Sequence, residues 1–208
     1  SSTSTGVSKN VAEENFASGS IQGYHLRVLK DSEWRAISLS GVEEKAVLSS
    51  AKRLTRFSPT LKEKSSYSKL KPWTFKKKYK VKKDPAEIDL DEKVKLVREL
   101  YKQLKGVDEK IVNAGARYAD DLVEKYFANT EGSELYYRAP VIRVMLVSFA
   151  KLGKNVQVDH VAHGGFGLGY EFIDRLDLDE DCKSVSNGAV ELLDAEQAPN
   201  GKLPVVVD

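Results

Sequence analysis

Leu135-Tyr136-Tyr137-Arg138-Ala139-Pro140-Val141-Ile142-Arg143-Val144-Met145-Leu146-Val147-Ser148-Phe149-Ala150 is the stretch from which the fold is read. Val141, Arg143, Met145, Val147 and Phe149 alternate with Ile142, Val144, Leu146 and Ser148, and a period of two predicts a long strand. Lys151-Leu152-Gly153-Lys154-Asn155 turns the chain back. Val156, Val158 and His160 then alternate with Gln157, Asp159 and Val161, which predicts an antiparallel partner. A glycine run follows, Gly164-Gly165-Phe166-Gly167-Leu168-Gly169-Tyr170-Glu171-Phe172. Beyond it, Val185, Ala189, Leu192 and Leu193 form the inner face of a helix expected over 179–196, and Leu203-Pro204-Val205-Val206-Val207 reads as a buried strand.

Working upstream, residues 122–127 read as a strand, and residues 110–117 fit either a helical turn or a strand. Val94, Val97, Leu100, Tyr101 and Leu104 recur at steps of three and four, an amphipathic helix capped by Asp89 or Asp91 and stopped or kinked by Gly106. Near the start, residues 21–29 and 34–39 alternate around the break Lys30-Asp31-Ser32-Glu33 and predict a hairpin. Ser40 with Glu43 suggests a capping box for a helix whose inner positions are Val47, Ala51 and Leu54. Residues 9–16 carry only weak patterning. Hairpins followed by helices predict an α+β class, mainly antiparallel sheets with flanking helices. A strand–strand–strand–helix order in 9–57 and again in 122–196 raises an internal duplication of a helix–three-strand–helix unit. The chain is read as one domain over 1–208, with a hairpin and helix half at 1–60, a lysine-rich insertion at 61–84 and a second half at 85–208.

Composition narrows the function. The 208 residues are 41% hydrophobic and 31% charged, and no apolar run approaches the roughly 18 residues of a membrane helix. A lone Cys182 cannot close an internal disulfide, which points to a reducing, cytoplasmic setting. The net charge of +2 hides an asymmetry: residues 1–83 hold 18 Lys and Arg against 7 Asp and Glu, and the remainder is acidic. Residues 61–83 contain ten lysines and one acid, Glu63, with Tyr67, Trp73, Phe75 and Tyr79 interleaved. A solvated or pinned loop is the first reading, a protein contact the second and nucleic acid the last, because arginine, the better phosphate fork, is absent.

His25, His160 and His163 are the only histidines. His160 and His163 lie three apart on an expected strand and so point to opposite faces, which argues against joint ligation. No metal ligand set and no nucleophile–base pair is visible, and the acidic surroundings of Cys182 would not activate its thiol. The glycine run departs from the dinucleotide fingerprint, since its third glycine falls one place early and acids follow. It reads as a connector, or as a segment lining or gating a groove for an extended peptide.

Three blocks together resemble the N-terminal half of the TldD/PmbA family, the zinc metallopeptidases also called modulator of DNA gyrase. They are Ser18-Gly19-Ser20-Ile21-Gln22-Gly23-Tyr24-His25-Leu26-Arg27-Val28-Leu29 with Trp34, then Arg138-Ala139-Pro140-Val141-Ile142-Arg143 with the glycine run, and Ala189 to Leu193 with Ala198-Pro199-Asn200-Gly201-Lys202-Leu203-Pro204-Val205-Val206-Val207. The resemblance implies an N-terminal domain without catalytic residues or cofactor of its own, inactive alone. Zinc would sit on a His-Glu-x-x-x-His motif past the C-terminus, in a separate catalytic domain. It further implies an unfolded-peptide substrate, a homo- or heterodimer, and Gly164, Gly165, Phe166, Gly167, Tyr170 and Glu171 as substrate-channel candidates. A gyrase- or nucleic-acid-associated module using residues 61–83 and a non-catalytic scaffold are the competing readings.

Overall fold

In the computed structural model, residues 1–58, 60, 71–196, 201, 202 and 204 are described. The chain runs through β1 (Ser2–Asn10), β2 (Glu14–Ile21), β3 (Gly23–Lys30), β4 (Glu33–Ser40), α1 (Glu44–Thr55), β5 (Thr74–Lys78), α2 (Leu90–Gly106), β6 (Ile111–Ala128), β7 (Glu134–Leu152), β8 (Asn155–Phe166) and α3 (Leu178–Glu191). Short 3-10 turns cover Pro85–Glu87, Tyr170–Arg175 and Leu192–Asp194. The class is α+β, as the alternation and the helical stripes predict.

The quoted stretch lies in β7, an interior strand of a six-stranded sheet. β2, β1, β6 and β7 pair in that order, all antiparallel. The far edge of β7 is shared end to end by two strands: β5 runs parallel along Glu134–Arg138, and β8 runs antiparallel along Val141–Leu152. β3 and β4 pair with each other, and α1 packs on them, with Tyr24 Oη and Ser50 Oγ 3.0 Å apart.

One sheet face carries the core. Val7, Ala116, Tyr118, Ile142, Val144 and Leu146 are buried beneath Val97, Leu100 and Leu104 of α2 and Cys182, Val185 and Ala189 of α3. Each fully buried Leu or Ile there contributes about 1.5–3 kcal/mol. Ser148 belongs to this face because it is paired: its Oγ lies 2.8 Å from Ser186 Oγ, which donates to the Leu104 carbonyl. The opposite face, with Arg143, Met145, Val158 and Phe166, is exposed.

Several local expectations are corrected. Residues 9–16 lie in β1, β2 and their turn; these Ser- and Gly-rich strands bury mainly Val7, so alternation was muted and pairing to β6 holds them. Residues 111–117 are strand and Lys110 lies in the preceding turn, where the Asp108 carboxylate accepts from Lys110 N–H and turns the chain out of α2. Ser40 does not cap α1. Gly41 sits at φ +82° with its N–H on the Gln22 carbonyl, so the helix starts later, after Glu43, with no side-chain cap. Asp89 occupies the N-cap of α2, also without a side-chain bond. The last helix begins at Leu178, where the Asp177 carboxylate accepts from Glu180 N–H, and it ends at Glu191, leaving Leu192 exposed. The supposed repeats are not equivalent in arrangement: β1 and β2 extend the sheet of β6–β8, whereas β3–β4 form a sheet of their own. The strand expected at 203–207 lies, apart from Pro204, outside the described residues.

Candidate functional site

The six channel candidates gather where β5 and β8 meet. Both strands end against the same short piece of β7: Tyr79 N–H donates to the Arg138 carbonyl at 3.0 Å, and Gly167 N–H donates to the Pro140 carbonyl at 2.7 Å. Gly167 has φ +77°, and a Cβ there would overlap the Tyr79 ring. A Cβ on Gly164 would run into the Ile142 carbonyl oxygen, a backbone atom that cannot yield. Phe166 is 49% exposed on the open face and stands edge-on to Tyr79 and Tyr137, with ring centroids 5.1 and 5.8 Å away.

Past Gly169 the run becomes a clamp on the end of the lysine-rich segment. Tyr170 N–H donates to the Lys83 carbonyl, and the Glu171 carboxylate accepts from the N–H groups of Lys82 and Lys83 at 3.1 and 3.0 Å. Partial burial pushes the Glu171 carboxyl upward, but those two backbone bonds outweigh it and hold it below its ordinary value. Lys83 Nζ pairs with Asp174 at 2.7 Å. Tyr170 is only 5% exposed, its ring 5.8 Å from Tyr118, and burial followed by the charge of Glu92 pushes its hydroxyl up to about 12.

A shallow groove of about 470 Å³ lies elsewhere on the sheet, over β1, β2, β6 and β7, bordered by Gly6, Ala17, Gly115, Arg117, Met145 and Phe149. Small residues there leave the space. Asn113 Oδ1, at the β6 bulge, is buried without a hydrogen-bond partner among the described residues. The candidate glycines are not among its walls.

The histidines diverge as their spacing requires. His160 is exposed on the open face, while His163 turns to the helices and its Nε2 lies 2.8 Å from Asp181 Oδ2. Among the described residues no three His, Cys, Asp or Glu side chains converge as a metal site. Cys182 is fully buried, its Sγ 3.7 Å from the Leu100 carbonyl, and burial with Asp179 and Asp181 pushes its thiol up to about 12. At pH 8, iodoacetamide will leave Cys182 unlabelled in the folded chain and label it in denaturant, as read by mass spectrometry. Equal labelling in both states would mean that α3 is not docked.

A buried charge cluster was missed in the sequence. Lys93 Nζ bonds Asp120 Oδ2 and the Pro85 carbonyl, both at 2.7 Å, and lies 5.6 Å from the Tyr118 ring centroid. Burial, then the neighbouring Asp120 charge, pushes the Tyr118 hydroxyl far up. The signal was present: Lys93 stands four before Val97 on the apolar stripe, and Asp120 alternates in phase with Ala116 and Tyr118.

The family described as PmbA/TldA metallopeptidase central domain matches residues 83–195. The chain belongs to this family. The match begins at Lys83, one of the two residues whose N–H groups Glu171 grips, so all of the clamp but Lys82, together with β6, β7 and both core helices, falls inside the PmbA/TldA region. A metalloprotease of Methanothermobacter thermautotrophicus is 26% identical over 209 residues, covering 100% of this chain and 45% of the relative. Metalloprotease MJ0996 of Methanocaldococcus jannaschii is 28% identical over 199 residues, covering 94% and 43%. The chain therefore spans less than half the length of these curated relatives. The crystal structure of a protein from Thermotoga maritima described as a modulator of a DNA gyrase superposes with a TM-score of 0.70 at 14% identity, over 96% of this chain and 44% of that one, which establishes the shared fold. Among the described residues no helix is long and apolar enough to cross a membrane.

Proposed function

We propose that this chain is the non-catalytic N-terminal part of a TldD-like, zinc-dependent peptidase that cleaves unfolded peptides in the cytoplasm as a homo- or heterodimer. Its role is to wall the substrate channel and to share in the dimer contact. The PmbA/TldA match over 83–195 carries this reading, together with curated metalloprotease relatives more than twice as long. In this reading the zinc and the His-Glu-x-x-x-His motif that the family resemblance implies belong to polypeptide outside this chain. The metal would supply an activated water; this chain would supply shape and surface.

The open face is the surface available for that role, and Phe166 is its test. In the whole protein, Phe166→Ala will lower kcat/KM on an unfolded peptide roughly tenfold, a loss of transition-state stabilisation of about 1.4 kcal/mol. The ring is half exposed, so the thermal midpoint will hold. Unchanged cleavage would remove the channel role. The 208-residue chain alone will cleave nothing with or without zinc, and cleavage by it would overturn the assignment of the chemistry elsewhere.

A further inference from the structure

We infer that the outer edge of β5 is a docking edge for an extended, acidic polypeptide segment, which adds to the sheet as a further strand. This goes beyond the peptidase reading and does not depend on it.

The backbone supplies the first argument. The Trp73 carbonyl accepts from Glu134 N–H, and Tyr79 N–H donates to the Arg138 carbonyl. In a parallel pair one residue directs both its main-chain groups to the same neighbour, so the odd residues 73 to 79 bond β7. The N–H and C=O groups of Thr74, Lys76 and Lys78 therefore face outward, and among the described residues no strand pairs with them. Every residue of β5 is exposed. A bare ladder of this kind is completed by another strand.

Charge selects the occupant. Residues 71–83 hold seven lysines and no acid. Among the described residues, Lys71, Lys76, Lys77, Lys78, Lys80 and Lys82 make no ion pair; Lys76 and Lys77 instead stand 5.9 and 4.3 Å from the ring centroids of Tyr136 and Tyr79. Lysines on an edge strand repel a second lysine-rich edge, which disfavours pairing with another copy of β5 and favours a strand bearing carboxylates. Trp73, 64% exposed, and Phe75 flank the lysines and offer apolar contact to alternate side chains of the incoming strand. Nucleic acid fits less well: it cannot complete a main-chain ladder, and no arginine is present to fork a phosphate.

The test uses the 208-residue chain and fluorescence anisotropy. The probe is a labelled peptide, Glu-Val-Glu-Thr repeated three times, compared with its Lys-for-Glu counterpart, a version N-methylated at alternate amides, and the single strand dT20. The Glu peptide will bind, about tenfold more weakly at 300 than at 50 mM salt. The Lys peptide will not bind, and N-methylation will weaken binding at least about tenfold because it removes ladder hydrogen bonds without altering charge. Lys76→Gln combined with Lys78→Gln, both exposed, will also weaken it with an unchanged circular dichroism spectrum. Absence of binding, equal binding of the N-methylated peptide, or tighter binding of dT20 would each overturn the inference, the last in favour of nucleic acid. Because binding is read on this chain and cleavage on the whole protein, the two readings fail separately.

Discussion

Lys93→Ala will lower the thermal midpoint of the chain by roughly 6–20 °C, on the basis of about 3–5 kcal/mol for removing one partner of a buried ion pair and about 2–4 °C per kcal/mol at this size. Lys93 and Asp120 are both nearly inaccessible, so alanine would leave the Asp120 carboxylate without its counter-charge in a dry site. The lysine also donates to the Pro85 carbonyl, which pins the turn leading into α2. The expected effect thus combines a stranded charge with a loosened helix start. The double variant Lys93→Met, Asp120→Leu will recover much of the loss, because replacing a whole buried pair with apolar groups is often neutral. Thermal unfolding by circular dichroism decides it; a double variant no more stable than Lys93→Ala would show that the pair is worth more than its desolvation.

The second large effect is expected at Gly167, and it separates packing from substrate contact. Gly167→Ala will cost about 2–5 kcal/mol, the sum of about 1–2 for an L residue in the left-handed region and about 1–3 for forcing a methyl against the Tyr79 ring. Adding Tyr79→Ala removes the obstruction but leaves the backbone strain. The double variant will therefore be more stable than the sum of the single costs by about 1–3 kcal/mol, as coupled neighbours require. Denaturant melts of the four proteins of the cycle measure this. Additivity within about 0.5 kcal/mol would show that the glycine is not there for the tyrosine.

These two sites show where sequence reading stopped. The helix stripe and strand alternation that built the core were legible because burial repeats at 3.6 and 2 residues, and every inner residue named for α2 packs in or against the core. Lys93 lay on that stripe, yet a charge on an apolar face is meaningful only once a partner is placed opposite it, and Asp120 is 27 residues away. The glycine run was recognised as unusual, but its reason was not. Gly167 answers to Tyr79, and the Glu171 carboxylate answers to two backbone amides at the end of the lysine-rich segment. None of these pairings leaves a periodic trace.

What the sequence by itself determined is the α+β class, the long strand with its antiparallel partner, the inner face of α2 and that of α3 apart from Leu192, and the family resemblance that residues 83–195 then established. Those features depend on local periodicity and on short ordered blocks, which one chain carries in full. Only the tertiary structure decided that β1 and β2 join the main sheet, that β5 takes the remaining edge of β7 in parallel, and that the glycine run clasps the segment after β5. Strand neighbours are chosen by long-range hydrogen bonding, which is nearly blind to side-chain type in Ser-, Gly- and Lys-rich strands. Among the described residues that choice left one sheet face and the β5 edge uncovered, and those are the surfaces on which the proposed functions rest.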